Sequence, residues 1–523
     1  MFRSKSLFAL LTVLIFIGLV PIGAPVYAVP SQDFPPQQID KDKIDTYIQS
    51  RMQIASIPGL ALGVVQDDQI IYLKGYGIAA PDGRAVTPQT PFILGSTSKS
   101  FTALAIMQLV EAGKIDLDAP VIKYLPWFRT SDAAASAQIT VRNLLNQNSG
   151  LPTYDGLLGL ITTNQSSVAL ENGVRGLSNV HLNHPAGEAY EYANENYDTL
   201  GLIVQTVSGM SYEDYIRSSI FAPLQMSHSA AALSDPAVKD IATGYRYWFH
   251  WSIPFDAPYP RSMTPSGFLI SSAEDMSQYL IAQLNGGAYG GNQVLSAQGI
   301  DTLHAPGSKI SALRSYGMGW EIQGQPGSTL IWHNGDVSNF HSNMLLLPDQ
   351  HIGIVILINI QEFYNNAAIN IPIEGVADIL LGKEVSGRTN PPLTVIPQVM
   401  MLAALLIPIL WVVGSYLSIK RWQKHGKLPP RGISRLWRLY LPLIIDFCPV
   451  IFVWIILPAQ FDVPIDIVAL VVPDVFVVIL ALTILSLGWA MARIFLTLRL
   501  HRLMKRVVES KTESHWITSE DSV

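Results

Sequence analysis

Gly95-Ser96-Thr97-Ser98-Lys99-Ser100-Phe101-Thr102-Ala103-Leu104-Ala105-Ile106-Met107-Gln108-Leu109-Val110-Glu111-Ala112-Gly113 is the stretch on which the reading of this chain turns. From Ser98 to Ala112 it reads as a helix that is apolar nearly all round and stops at Gly113. A helix without a polar face is covered on every side, so it marks the centre of a domain. Two strand-like runs precede it, Leu60–Val65 and Ile70–Tyr76, joined by the polar turn Gln66-Asp67-Asp68. Before them Ile39, Ile44, Ile48 and Met52 can share one face of a helix. From about 115 to 310 the pattern is mostly helices and long loops. Strand signals then return at Met318–Ile322, Thr329–His333, Ser342–Leu347 and Ile352–Ile358, followed by a helix over Asn365–Leu381. Strands at both ends with helices between them predict an α/β (α+β) body, one sheet assembled from both chain ends beside a mainly helical subdomain.

Outside this body the composition changes. The chain has 523 residues, 14% charged and 49% hydrophobic, which excludes a disordered chain, and its net charge of −6 supplies no basic field for nucleic acid. Residues 29–391 hold 19 Lys/Arg against 32 Asp/Glu, whereas from Pro392 on there are 13 against 8. The one cysteine, Cys448, excludes an intramolecular disulfide and a cysteine-rich zinc site. Arg3 and Lys5 before the uncharged run Leu7–Val20, then Pro21, Gly23, Pro25 and Val26-Tyr27-Ala28, read as a secretory signal over 1–28, with a retained anchor as the alternative. Ile396–Ile419, Leu439–Leu457 and Val475–Ala492 read as three transmembrane helices in a membrane region over 392–495. Lys420, Arg421, Lys424, Lys427, Arg431, Arg435 and Arg438 crowd the first connection, while Arg493, Arg499, Arg502, Lys505 and Arg506 follow the last span. The positive-inside rule then puts that connection and the tail over 496–523 in the cytoplasm and the acidic body outside, in agreement with the signal. Gly387–Thr394 is expected to be the linker, Glu509–Val523 a disordered end, and Asp446 an ionisable group inside the second span, protonated, snorkelling or capped by neighbouring helices.

Three stretches can carry chemistry. Among 15 lysines only Lys99 has a serine three positions earlier, at the start of the all-apolar helix. Residues three apart share a helix face, so the Lys99 amine can reach the Ser96 hydroxyl. Serine needs a neighbouring base, and a desolvated lysine can be one or can hold another base in its anionic form. The helix N-terminus favours the negative charge that develops on acyl transfer. Next, His184-Pro185-Ala186-Gly187-Glu188-Ala189-Tyr190-Glu191-Tyr192-Ala193-Asn194 leads into a helix with Leu200, Ile203 and Val207. A Tyr192 phenol close to Lys99 is expected to fall below the ordinary value of about 10 and act as a general base. Last, Trp332-His333-Asn334-Gly335-Asp336 ends a strand-like run, where backbone can pair with an extended substrate and His333 can tune the tyrosine or donate to the substrate. His181 and His184 lack partners at helical spacing and there is no HExxH, so no metal or other cofactor is invoked. Ser98 stands where a phosphate-binding loop needs glycine, and no G-x-S-x-G occurs.

With Phe92-Ile-Leu-Gly-Ser-Thr-Ser-Lys-Ser-Phe-Thr, Gly113-Lys-Ile-Asp-Leu-Asp-Ala-Pro-Val, Tyr124-Leu-Pro, Ile139-Thr-Val-Arg-Asn-Leu-Leu, Asn148-Ser-Gly-Leu-Pro and Phe221-Ala-Pro-Leu-Gln-Met, the region from about 37 to 382 resembles the serine β-lactamase and D-alanyl-D-alanine peptidase superfamily, in its class C and esterase-like branch. The resemblance implies a β-lactamase-like antiparallel sheet flanked by helices, Ser96 as acylated nucleophile, Lys99 as its proton partner and Tyr192 as general base. It further implies substrate binding by Asn194, His333, Asn334 and Gly335, and an oxyanion hole from the backbone N–H groups of Ser96 and Asp336. The histidine at 333 matches a variant of the third motif, and Asn334 stands where Thr or Ser is usual. The expectation is therefore a membrane-anchored, extracytoplasmic serine hydrolase acting on an ester, amide or D-amino-acid peptide, those of the cell wall included, rather than a true penicillinase. The alternative is a sensor that binds penicillins or peptidoglycan fragments with little turnover. The partners implied are that substrate and membrane lipid around the three helices, with no nucleic acid.

Overall fold

The computed structural model describes residues 39–153, 159–249, 251–324, 329–361, 366–385, 391–425, 441–456 and 465–520. The expected secretory signal and the 387–390 part of the expected linker lie outside the described residues. The described residues divide into two compact units, the body over 39–385 and the segment from Pro391 onward.

The body is built on an eight-stranded antiparallel sheet. Its strands are β1 (Gly59–Gln66), β2 (Gln69–Gly77), β3 (Ser308–Lys309), β4 (Arg314–Tyr316), β5 (Glu321–Gln323), β6 (Leu330–Val337), β7 (Phe340–Leu347) and β8 (Ile352–Ile358), in the spatial order β2-β1-β8-β7-β6-β5-β4-β3. The expected sheet from both chain ends is formed where β1 pairs with β8, Leu60 opposite Ile358 and Gln66 opposite Ile352. Period-two alternation decides the two faces. Leu60, Leu62, Val64, Leu345, Leu347, Ile354 and Ile356 pack in one cluster with helix α1 (Lys41–Ile54) and the helix Asn366–Leu380, through Ile44, Ile48, Ile369 and Val376. Ala61, Val65, Met344, Leu346, Val355 and Leu357 turn to the other side, toward the helical part of the body.

On that side lies α2 (Ser98–Glu111). Every residue from Pro91 to Met107 is buried except Ser96, which confirms the reading of a helix enclosed on all sides and leaves one opening at its start. Phe101 stacks on Tyr279 with ring centroids 4.0 Å apart and meets the edge of Phe221 at 5.7 Å. Next to α2 runs α3 (Asn194–Ser208), whose Asn196–Val204 stretch is buried and which ends at Gly209 in the left-handed conformation, φ +76°. α4 (Ala273–Leu284) carries Met276 and Leu280 in the same core. We label the Asn366–Leu380 helix α5.

The segment from Pro391 departs in detail from expectation. Its helices are α6 (Pro391–His425), α7 (Leu441–Ile451, continued by a π-helical turn Phe452–Ile456), α8 (Ile465–Val471) and α9 (Pro473–Glu520). Among the described residues two helical stretches are long and apolar enough to cross a membrane, Val399–His425 and Pro473–Leu503. The second of the three expected spans is a shorter apolar helix, Leu441–Ile455, of roughly 22 Å at 1.5 Å per residue, with Pro449 inside it. Pro391–Thr394, expected as linker, is already helical, and the expected disordered end is helical as far as Glu520. Arg493, read as a cytoplasmic flank, is instead buried against Asp446, with Arg493 Nε 2.9 Å from Asp446 Oδ2 and both side chains almost fully enclosed. Trp411 Nε1 donates to Asp446 Oδ1 at 2.8 Å and the Arg493 guanidinium donates to Ser415 Oγ. One buried ion pair thus joins α6, α7 and α9.

Removing one member of such a pair leaves an unpaired buried charge, which costs about 3–5 kcal/mol in soluble proteins. Asp446→Leu is therefore expected to lower the thermal midpoint of the full chain in detergent, and Asp446→Leu with Arg493→Leu to restore most of it. The comparison of single and double variants by thermal melting checks this.

Candidate active site

Ser96 sits in a single 3₁₀ turn, Gly95–Thr97, that feeds directly into α2. Gly95 has φ +58°, and a Cβ there would stand 2.4 Å from the Asp336 nitrogen and 2.5 Å from the Gly335 carbonyl carbon. A Cβ on Gly335 would stand 2.0 Å from the Leu94 oxygen and 2.9 Å from the Ser96 nitrogen. Two glycines therefore let the edge of β6 lie against the turn that presents Ser96, bringing the backbone of Asp336 and Ser96 together. Ser342 Oγ donates to the Leu94 carbonyl at 2.5 Å and shares a hydrogen bond of 2.9 Å with Thr97 Oγ1, which pins the turn to β7.

Lys99, one turn on, is fully buried. Its Nζ donates to Ser96 Oγ at 3.0 Å, to Asn194 Oδ1 at 2.8 Å and to the Ser266 carbonyl at 2.6 Å, and lies 4.8 Å from the centre of the Tyr192 ring. Burial pushes this amine down to about 7, against the opposing pull of the Asp198 and Glu195 carboxylates. Asp198 is itself pushed up by burial, held back by its bonds to Ser266 and by Lys99; its Oδ1 accepts the Ser266 N–H at 3.2 Å. The lysine is thus poised to release its proton near neutrality.

Tyr192 and Asn194 are delivered by an extended segment ending at Ala193, φ −135° and ψ 133°. Gln147, itself at φ +55°, accepts on Oε1 the Ala193 N–H at 3.0 Å and Asn196 Nδ2 at 2.5 Å, while its carbonyl accepts the Glu191 N–H at 2.8 Å. Ser149 Oγ donates to Asn196 Oδ1 at 2.6 Å. Hence the Gln147–Ser149 loop, part of which carried the family resemblance, holds the tyrosine in place. The expected lowering of the Tyr192 phenol is reversed. Burial raises it well above its ordinary value, and the Ser96 hydroxyl beside it is the largest opposing influence. An amine that titrates near 7 has already lost its proton at the higher pH where the phenol would ionise, so it supplies no cation to draw the phenol down, although it is charged at the low pH where His333 would titrate.

The third stretch is not the end of a strand but lies within β6. His333 is 2% exposed, and its ring centre lies 6.2 Å from that of Tyr192. Its Nδ1 lies 2.5 Å from the Asn334 carbonyl and so carries the hydrogen, leaving Nε2, 3.1 Å away, to accept from the Tyr316 hydroxyl. Burial, then the charge of Lys99, pushes the imidazole down to about 3, so it is neutral. Alternation along β6 sends Asn334 and Asp336 to the opposite face from His333 and Gly335. There Asn334 Nδ2 donates to Asp336 Oδ2 at 2.7 Å, and His341 Nδ1 lies 2.6 Å from Asp336 Oδ1. The Asn334 side chain is therefore the one predicted group not brought to Ser96; Lys99, Tyr192, Asn194, His333 and the backbone of Gly335 and Asp336 are.

Sequence reasoning missed Asp198, Ser266, Tyr316 and Gln147. Asp198 could have been found, because it lies one helical turn beyond Asn194 on the same face. Tyr316 and Ser266 come from distant segments with no local signal. Among the described residues His228, Glu274 and Asp275 form the one group with metal-ligand chemistry. Asp275 is already engaged there, accepting the His228 N–H at 2.7 Å and the Ser229 hydroxyl at 2.6 Å.

An antiparallel sheet and helical part meeting at a serine–lysine pair define the β-lactamase-like class of serine hydrolase folds. The Beta-lactamase family model matches residues 44–374, and the chain belongs to that family. Protein flp of Staphylococcus aureus (strain COL) is 29% identical over 403 residues, covering 76% of this chain and 78% of that protein. The unguisins hydrolase of Aspergillus campestris is 28% identical over 319 residues, 58% of each chain. Among solved structures, the octameric penicillin-binding protein homologue from Pyrococcus abyssi aligns with a TM-score of 0.58 at 28% identity, over 67% of this chain and 79% of that one.

If Lys99 must be neutral to accept the Ser96 proton, reactivity is low below its pKa and rises as pH passes through it. The rate of Ser96 labelling by a fluorophosphonate is expected to climb with a midpoint near 7, measured from pH 5 to 9.

Proposed function

We propose that this chain is a membrane-anchored serine hydrolase whose body faces outside the cell and which forms an acyl-serine at Ser96 from an ester, amide or D-amino-acid peptide. The observation that carries this reading is the 3.0 Å bond between Ser96 Oγ and a fully buried Lys99 amine. Lys99 Nζ takes the Ser96 proton as Oγ attacks the carbonyl carbon. The Ser96 and Asp336 N–H groups receive the oxyanion, and such donors are worth about 3–4 kcal/mol each in other enzymes. The resemblance makes Tyr192 the base; its raised phenol fits better as a neutral relay that hands a proton from the amine to the leaving group. Water then attacks the acyl-enzyme with the same groups working in reverse. Asn194 orients Lys99 and presents its amide nitrogen toward the substrate, and Gly335 offers strand backbone.

His333 is neutral, and Asn334 faces away from Ser96. Neither side chain brings the cation that a substrate carboxylate calls for, which favours neutral esters and amides over penicillins. Three crossings support the topology better than two. The basic stretches 420–438 and 499–506 belong on one side of the membrane, which requires both α7 and α9 to cross between them. A thin span such as α7 with its π turn is accommodated by local thinning of the bilayer. The pairing of Asp446 with Arg493 gives that aspartate a structural role.

A panel of p-nitrophenyl esters, D-amino-acid amides, D-Ala-D-Ala peptides and a chromogenic cephalosporin tests the activity. Turnover is expected on the esters or amides, lost in Ser96→Ala and reduced about 10²–10⁴-fold in Tyr192→Phe. Equal turnover by wild type and Ser96→Ala would overturn the reading.

A further inference from the structure

Among the described residues of the body, one large aromatic side chain is left out in water. Trp251 is 70% exposed, at the end of a hairpin formed by Tyr245–Trp248 and Trp251–Pro254 in which Trp248 pairs with Trp251. Phe249, next in the turn, has φ +47° and packs edge-on against Trp248, ring centres 5.3 Å apart. A bulky non-glycine residue in the left-handed region is uncommon and costs energy, so this tip is held aromatic against local preference.

The root of the hairpin is firmly built. Tyr245 and Tyr247 are buried, Tyr245 pairs in parallel with Ile360, and the Tyr247 hydroxyl donates to the Ala55 carbonyl. Ser252 Oγ donates to the Ser56 carbonyl at 2.5 Å, and Asn339 Nδ2 to the Phe255 carbonyl at 3.0 Å. Nearby, at the end of α1, Ile54 is 44% exposed. A paired, hydrogen-bonded stem therefore carries the aromatic residues.

We infer that this hairpin tip, through Trp248, Phe249 and Trp251, dips into the headgroup zone of the lipid bilayer that anchors the chain. Tryptophan concentrates in that zone because its ring is apolar while its N–H finds polar partners. Charge is consistent with it: residues 29–391 hold 32 acidic side chains, yet none lies between Tyr245 and Phe255, where Arg246 is the one permanent charge. The inference rests on the membrane reading above, and it adds that the bilayer orients the catalytic body as well as tethering it.

The test uses the full chain with Cys448→Ser and Trp251→Cys, labelled at 251 with an environment-sensitive dye and reconstituted in phosphatidylethanolamine/phosphatidylglycerol vesicles. Blue-shifted dye emission, quenched by lipids spin-labelled near the headgroup, is expected at 251 but not at a Gln298→Cys control, whose position is exposed. Water-like, unquenched emission at 251 in a chain that resists carbonate extraction would overturn the insertion while leaving the membrane reading intact. Release of the chain by carbonate would overturn both. Unchanged Ser96 labelling by a fluorophosphonate reports that the variant is folded. As a second measurement on the unlabelled protein, brominated lipids should quench the wild type more than Trp251→Phe; equal quenching counts against the inference.

Discussion

An amine sealed inside a protein is held there only if its hydrogen bonds are satisfied, and much of this body is arranged to satisfy those of Lys99. Its three partners come from three parts of the chain: the Ser96 hydroxyl one turn away, the Asn194 side chain at the head of α3, and the Ser266 carbonyl. Asp198 holds the same Ser266 from its N–H side, so a carboxylate one turn along α3 braces the residue whose carbonyl the amine needs. The enclosing α2 could not carry a lysine at this point without that ring of acceptors. Burial in turn favours the uncharged amine and makes the lysine a usable base.

This constraint separates what could be read from the residues alone from what could not. The two chain-end strands pairing as one sheet, the enclosed helix and the Ser96–Lys99 contact were legible because each rests on periodicity: two along a strand, three to four along a helix. The helix after Tyr192 was legible for the same reason. The direction of the tyrosine's titration was not, because it depends on how completely distant segments cover the ring, and on whether the neighbouring amine is charged at all. Asn334 shows the same limit at a smaller scale. Its motif suggested a binding side chain, yet strand alternation, which the residue numbers already contain, turns it to the far face with Leu330 and Trp332.

The segment from Pro391 teaches a related lesson about hydropathy. Length and apolarity found three stretches, but they said nothing of what the one aspartate among them was doing, and they counted Arg493 with the flanking charges. In the folded segment the two residues cancel one another, while Trp411 adds a hydrogen bond to Asp446 and Ser415 accepts one from Arg493. A charge that looks functional in isolation becomes a fastening between helices once its partner is identified. The orienting count of basic residues at the last span then rests on Arg499, Arg502, Lys505 and Arg506, and is still positive.

In the proposed hydrolase, substrate choice follows from polarity rather than from the nucleophile. On that reading the serine–lysine–tyrosine set would acylate on any carbonyl placed against the two N–H groups, so discrimination would fall to the side chains around it. Behind the site a neutral, buried His333 is held by the buried Tyr316, and the half-buried Tyr190 and Tyr192 pack around the Tyr316 ring at 5.9 and 6.1 Å between centres. An aromatic wall of this kind gains by covering apolar acyl or leaving groups, and it desolvates a carboxylate without repaying it. Because the body is acidic overall, long-range attraction does not compensate for that penalty with anionic ligands. The balance therefore tilts toward uncharged substrates.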